Sequence, residues 1–232
     1  MTGRRRRWPY AVAAVVLVVV GVAVWAWWVW LPGYRPALRA GERYGVDVSS
    51  HQGPIDWQRV AGDGVAFAYV KSSEGGDFVD RRFGANWAGA GGAGLDRGAY
   101  HFFTLCAPGE EQARNFLQAA PPDPAALAPA VDVELVGNCR ARPDRAVVAR
   151  ELEAFGRVVE EAWGRQVLVY EADEFGRRYP DLLPGRPRWV RSVRRPGGEW
   201  SVWQVHGLAH VEGITGDTDL DVMGPEVQDG GG

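Results

Sequence analysis

Hydrophobic and polar positions change their period along this chain, and each change marks an element. Residues 8–32 form an unbroken uncharged, mostly apolar run. A helix of about 20 apolar residues crosses a bilayer, so this run predicts an N-terminal transmembrane helix. From Tyr44 the pattern breaks into short apolar, β-branched runs at 44–49, 65–71, 98–103, 128–135, 166–170, 188–193, 201–206 and 210–214, each read as a strand. The clearest helix is 144–163. Leu152, Phe155, Val158, Val159 and Ala162 share one face there, with Asp144 near the start and Gly164 just past the end. Shorter helices are predicted at 80–92, 108–119 and 173–178. Pro121, Pro122, Pro124 and Pro129 stiffen the approach to the strand near 130.

Strands alternating with helices imply a mostly parallel sheet. A full (β/α)8 barrel usually takes about 250 residues, more than remain here after the apolar run. The expected fold is therefore α/β, an irregular TIM-like β/α barrel with fewer helices than strands, its later half partly antiparallel. The expected organisation is 1–32 as an arginine cluster and membrane anchor, 33–43 as a linker, 44–227 as the globular domain and 228–232 as a disordered tail.

Charge sharpens this picture. Arg4–Arg7 are the only charged residues before Arg35, and removing those four positive charges from a net −3 leaves −7 on the remainder. So acidic a domain is a poor partner for nucleic acid. Positive charge stays on the cytoplasmic side of a membrane, which directs the domain outward, to the periplasm or the cell exterior. Trp25, Trp27, Trp28 and Trp30 cluster at the far end of the run, where an interfacial aromatic belt sits. The alternative is a cleaved signal peptide and a secreted product. Leu38 and Ala40 before Gly41 make a weak cleavage site, and the arginine run loosely resembles a twin-arginine export signal.

Candidate chemistry centres on residues 130–135, AVDVEL. Alternate residues of a strand share a face, so Asp132 and Glu134 point one way and Val131, Val133 and Leu135 the other. Gly137 and Asn138 end the strand, which puts both acids at its C-terminal edge, where barrel enzymes carry their sites. Two adjacent carboxyls repel, which raises one pKa. One acid protonated beside one ionised is what glycoside hydrolysis needs. By itself D-x-E is more often a pair of surface charges. Other polar residues nevertheless fall near strand ends: Asp47, Tyr100, His101, Tyr170, Trp203, Gln204 and Asp219. Polar groups in apolar strands cost free energy unless they are paired or face a cleft. Their recurrence suggests one mouth lined by acids and aromatics, suited to a sugar ring. Taken singly, His101 is more often a satisfied core histidine and Trp203 core packing.

These residues form ordered motifs over roughly 44–224. Asp47, Ser49, Gln52 and Gly53 give D-x-S-x-x-Q-G, followed by Ile55-Asp56-Trp57. Lys71, Glu74 and Gly75 give K-x-x-E-G. Gly98, Tyr100, His101 and Phe102 give G-x-Y-H-F, with Gln112 and Phe116 in the next helix. Asp132/Glu134, Trp203-Gln204 and the late acid Asp219 complete the series. In this order they resemble the family 25 glycoside hydrolases, the Chalaropsis-type lysozymes. The resemblance implies hydrolysis of the β-1,4 bond between N-acetylmuramic acid and N-acetylglucosamine in peptidoglycan. It implies Glu134 as general acid/base, with Asp47, Asp132 and Asp219 completing an acidic cluster. Lys71, Glu74, Tyr100, His101, Tyr170, Trp203 and Gln204 are then the candidate substrate contacts. No cofactor or metal is expected. Whether Asp132 attacks the sugar or steadies the substrate's acetamido group stays open.

Ser72 and Ser73 depart from the family's usual Ala and Thr. The segment Trp189 to Trp200 is short and arginine-rich, with Arg191, Arg194 and Arg195 either solvated or facing substrate carboxylates. An even cysteine count in an exported chain suggests a disulfide. Cys106 lies five residues after His101 and Cys139 five after Glu134. Parallel neighbouring strands would bring both to one rim, so a Cys106–Cys139 bond is expected. Two alternatives share the same residues: a glycan-binding protein without catalysis, and a hydrolase of another β-1,4 polysaccharide such as chitin.

Overall fold

The structure, a computed structural model, describes residues 8–225. The Arg4–Arg7 cluster and the expected tail at 228–232 lie outside the described residues. Two compact units are present, up to Arg35 and from Pro36 onward.

The first unit is helix α1, Trp8–Trp25, continued by a π-helical turn Ala26–Trp30 and a 3-10 turn Leu31–Gly33. Trp8–Gly33 has a mean hydropathy of 2.5 over its most apolar window, and none of that window is buried. By length and composition this segment is able to cross a membrane.

The second unit is a closed barrel. Its strands are β1 Arg43–Val48, β2 Val65–Glu74, β4 Asp96–Phe102, β5 Ala130–Val133, β6 Leu168–Glu171, β7 Arg188–Arg191, β8 Val202–Ala209 and β9 Thr218–Met223, while β3, Phe78–Val79, extends β2 as a short hairpin. Pairing runs β1-β2-β4-β5-β6-β7-β8 in parallel, and β9 closes the circle antiparallel to both β8 and β1. Helices α2 Trp57–Gly62, α3 Phe83–Gly92, α4 Gly109–Ala119, α5 Arg145–Trp163 and α6 Asp173–Arg178 fill the crossovers as far as β7. No helix separates β7, β8 and β9. The expected barrel with fewer helices than strands, irregular in its later half, is the fold observed.

One expected strand is displaced. Residues 210–214 form a turn, with Ile214 N–H donating to Val211 O. The eighth strand of the barrel is instead β9, whose reversed direction brings its first residues to the end where the parallel strands finish. Asp219 thus sits opposite Asp47 in register. Pro36 is buried, Tyr44 Oη donates to Pro36 O, and Arg195 binds Glu42 and Ala37 O, so residues 36–42 pack on the barrel wall.

Strand alternation builds two cores. Inward residues Phe67, Tyr69, Leu168, Trp189, Val202 and Met223 plug the barrel. Glycines on flanking strands make room for the large rings: a Cβ on Gly45 would lie 2.2 Å from the Phe67 ring, and one on Gly98 2.2 Å from Tyr69. Outward residues Val131 and Val133 face the helices, where Phe116 of α4 and Leu152, Phe155 and Val159 of α5 are fully buried. The stripe predicted for 144–163 is this face, and Gly164 ends α5 in the left-handed conformation, φ 67°.

Candidate active site

Above the aromatic plug a cleft of about 490 Å³ opens at the C-terminal ends of the parallel strands. It is lined by Asp47 of β1, Lys71 and Glu74 of β2, Tyr100 and Phe102 of β4, Asp132 and Glu134 at the end of β5, Tyr170 of β6, Trp189 and Arg191 of β7, Gln204 of β8 and Asp219 of β9. The D-x-E spacing therefore does what strand geometry requires, with both acids on the lumen side.

Hydrogen bonds fix much of the wall. Tyr170 Oη donates to Gln204 Oε1 at 3.1 Å, and Gln204 Nε2 donates to Asp47 Oδ2 at 2.9 Å. Trp189 Nε1 donates to Asp221 Oδ1 at 3.0 Å. Lys71 Nζ binds Glu74 at 2.7 Å and lies 4.8 Å from the centre of the Phe102 ring. The D-x-S-x-x-Q-G motif builds the loop after β1. Ser49 and Gln52 form a reciprocal capping box around the 3-10 turn Ser50–Gln52, and Gly53, at φ 68°, turns the chain out of it.

The loop after Glu134 is tied to the loop after β4. Asn138 Nδ2 donates to Glu134 O at 2.9 Å and to Phe103 O at 2.8 Å, while its Oδ1 accepts from Leu105 N–H at 2.9 Å. The expected disulfide joins the same loops. Cys106 and Cys139 are bonded with their Cα atoms 6.2 Å apart.

Electrostatically the cleft is crowded with acid. Burial, then the charge of Asp219, pushes Asp47 well above the usual carboxylate range. Burial followed by the charge of Glu134 does the same to Asp132, whose Oδ1 is buried without a hydrogen-bond partner. Asp221, fully buried at the base of the cluster, is raised by burial and by Asp219, against side-chain hydrogen bonds to Trp189 and Asp47. Burial also raises Asp219, against the pull of Arg191. Glu134 is pushed to about 7, chiefly by burial and then by the Glu174 carboxylate, while Arg191 and Lys71 oppose the shift. Such a group exchanges a proton near neutrality, as a general acid must. Among the described residues no cluster of His, Cys, Asp and Glu is arranged to hold a metal ion.

Two expected substrate contacts lie elsewhere. His101 points outward from β4 and is fully buried, stacked on Phe155 with ring centres 5.0 Å apart. Its Nδ1 meets Ser73 Oγ at 2.8 Å and its Nε2 meets Gln112 Oε1 at 3.2 Å, and burial lowers its pKa to about 3. Trp203 is also fully buried on the outer face of β8, its Nε1 donating to Ser192 O. The alternation that paired Asp132 with Glu134 carries the correction: Tyr100 and Gln204 face the lumen, so their chain neighbours cannot. Trp189 and Phe102 line the cleft and Asp221 lies beneath it, although none of the three is among the expected site residues. Asp221 was visible as a second acid two residues beyond Asp219, the same spacing as the Asp132/Glu134 pair.

Known proteins share this arrangement. The family model described as Glycosyl hydrolases family 25 matches residues 46–214. YegX of Escherichia coli K12 is 35% identical over 218 residues, covering 85% of this chain and 78% of that protein. A family 25 glycosyl hydrolase from Bacillus anthracis superposes with a TM-score of 0.75 at 32% identity, covering 82% of this chain and 92% of that one. The bacterial lysozyme from Streptomyces coelicolor does so with a TM-score of 0.71 at 28% identity, covering 79% and 92%. With its ordered motifs, its barrel and its acid-lined cleft, the chain belongs to glycosyl hydrolase family 25 and is a glycoside hydrolase.

Proposed function

We propose that this protein is an N-acetylmuramidase that cleaves the β-1,4 bond between N-acetylmuramic acid and N-acetylglucosamine in peptidoglycan. The observation that carries the reading is Glu134, held near neutrality beside Asp132 in an open cleft flanked by aromatic rings. Glu134 protonates the glycosidic oxygen as the bond breaks. While Glu134 holds its proton, its charge no longer opposes ionisation of Asp132, and Lys71 favours it. Asp132 then acts as the carboxylate of the pair, either on the anomeric carbon or on the substrate's acetamido group. Asp47 and Asp219, both raised by burial, complete the acidic cluster and offer carboxyl groups to the sugar's hydroxyls. Tyr100, Tyr170, Phe102 and Trp189 offer ring faces and hydroxyls to the substrate. The lysozyme among the relatives supports a cell-wall glycan as substrate. The apolar segment Trp8–Gly33 supports attachment to a membrane with the barrel on the outer side, where such a glycan lies.

The test is product analysis on defined peptidoglycan. Mass spectrometry is expected to find N-acetylmuramic acid at the new reducing ends. Glu134→Gln should keep the fold and lose about 10²–10⁴-fold in kcat. Wild-type kcat/KM should fall as pH rises through about 7, where Glu134 gives up its proton. N-acetylglucosamine at the reducing ends, or full activity in Glu134→Gln, would refute the assignment.

A further inference from the structure

We infer that Arg191 is a specificity residue, binding a carboxylate that the substrate carries on the lactyl arm next to the cleaved bond. This rests on the muramidase reading above.

Arg191 is the last residue of β7, in register with Gln204. Since Trp189 faces the lumen, alternation turns Arg191 the same way, and it lines the cleft with Glu134 and Asp219. Its charge reaches both acids and draws them down. Yet among the described residues the Arg191 guanidinium makes neither a salt bridge nor a side-chain hydrogen bond. Of the nearby cations, Lys71 binds Glu74 at 2.7 Å, Arg188 binds Glu171 at 3.1 Å and Arg195 binds Glu42 while packed 5.0 Å from the centre of the Trp203 ring, whereas Arg194 is exposed and does not line the cleft. The arginine-rich segment thus divides by task. Arg195 clamps residues 37–42 to the barrel, and Arg191 is left open at the mouth.

The rest of the cleft offers an anion little, because Asp47, Glu74, Asp132, Glu134 and Asp219 line it and Lys71 is already paired with Glu74. A neutral sugar chain offers that guanidinium only ordinary hydrogen bonds. A muramic acid residue offers more, since its 3-O-lactyl group ends in a carboxylate or continues into a peptide with carboxylates of its own. The planar fork of arginine suits a carboxylate, which accepts two parallel N–H bonds.

The test uses the full chain at pH 5, where Glu134 is protonated with or without Arg191, so that a change in its ionisation cannot imitate lost binding. Two pairs of glycan strands are compared: peptide-free strands with the lactyl carboxylate free or amidated, and peptide-bearing strands with the peptide carboxylates free or amidated. Wild type should prefer the free acid in one pair by about tenfold or more in kcat/KM, carried by KM. That pair identifies the source of the carboxylate. Arg191→Gln should abolish the preference, and Arg191→Lys should retain part of it. Equal rates on both members of both pairs in wild type, or an undiminished preference in Arg191→Gln, would overturn the inference. Failure of wild type to cut any strand would instead overturn the muramidase reading.

Discussion

The lumen of this barrel and the layer between barrel and helices both bury polar side chains, and one from each, Asp132 and His101, are treated in opposite ways. In the outer layer His101 is fully buried, with both ring nitrogens partnered and its ring stacked on Phe155. In the lumen Asp132, nearer the cleft, leaves its buried Oδ1 without a hydrogen-bond partner. A satisfied buried polar group repays its desolvation and serves the fold. An unsatisfied one costs free energy and persists where chemistry needs it. The boundary between lumen and outer layer runs down single strands, separating Tyr100 from His101 and Gln204 from Trp203.

The largest effects should come from crossing that line in each direction. Asp132→Asn removes a carboxyl of the proposed catalytic pair, and kcat should drop by about 10²–10⁴-fold with the melting temperature held or raised. Phe155→Ala takes the stacking partner from His101 and should cost about 3–5 kcal/mol of stability, while kcat/KM per folded molecule changes little. Denaturant melts and steady-state kinetics on both variants make the check. A large loss of activity in folded Phe155→Ala, or of stability in Asp132→Asn, would dissolve the distinction.

That distinction also explains what could be read from the sequence. The β/α alternation, the α5 stripe and the Asp132/Glu134 pair were legible because pattern and geometry agree there. Strand β9 was not. Its inward positions carry Asp219 and Asp221, so TDLDVM reads as a polar loop, while VEGI at 211–214 imitates a strand. The functional site hid its own strand by putting acids where a core residue belongs. His101 and Trp203 were assigned to the cleft because a barrel strand is buried on both faces, and hydrophobicity alone does not tell lumen from outer layer. Alternation from Tyr100 and Gln204 does.

The rim belongs to both regions, and the disulfide tests how far they are joined. Cys106 and Cys139 close a stretch with a sequence separation of 33 residues, worth roughly 3–4 kcal/mol in the chain-entropy model. Replacing both cysteines by serine should lower stability by about that amount. Because Asn138, beside Cys139, holds the backbone of Glu134, KM should rise as well. Unchanged kinetics in the double variant would mean that Asn138 suffices to set the loop.

The smallest effect carries an unusual sign. Burial holds the folded-state pKa of Asp221 above that of the unfolded chain. Below the ordinary carboxylate pKa both states are protonated, and burial of Asp221 adds no pH-dependent cost. As pH rises past that value, the unfolded chain ionises while the folded protein keeps its proton, so stability is lost until the folded-state pKa is reached. Asp221→Asn removes this penalty, and its side-chain oxygen still accepts from Trp189 Nε1. The variant should melt about 2–4 °C higher at pH 7, the scale of about 1 kcal/mol for a domain of this size, and the gain should vanish by pH 3. A gain of equal size at both pH values would trace it to packing. A loss at pH 7 would show that the hydrogen bonds of Asp221 to Asp47 and Trp189 outweigh the cost of its burial.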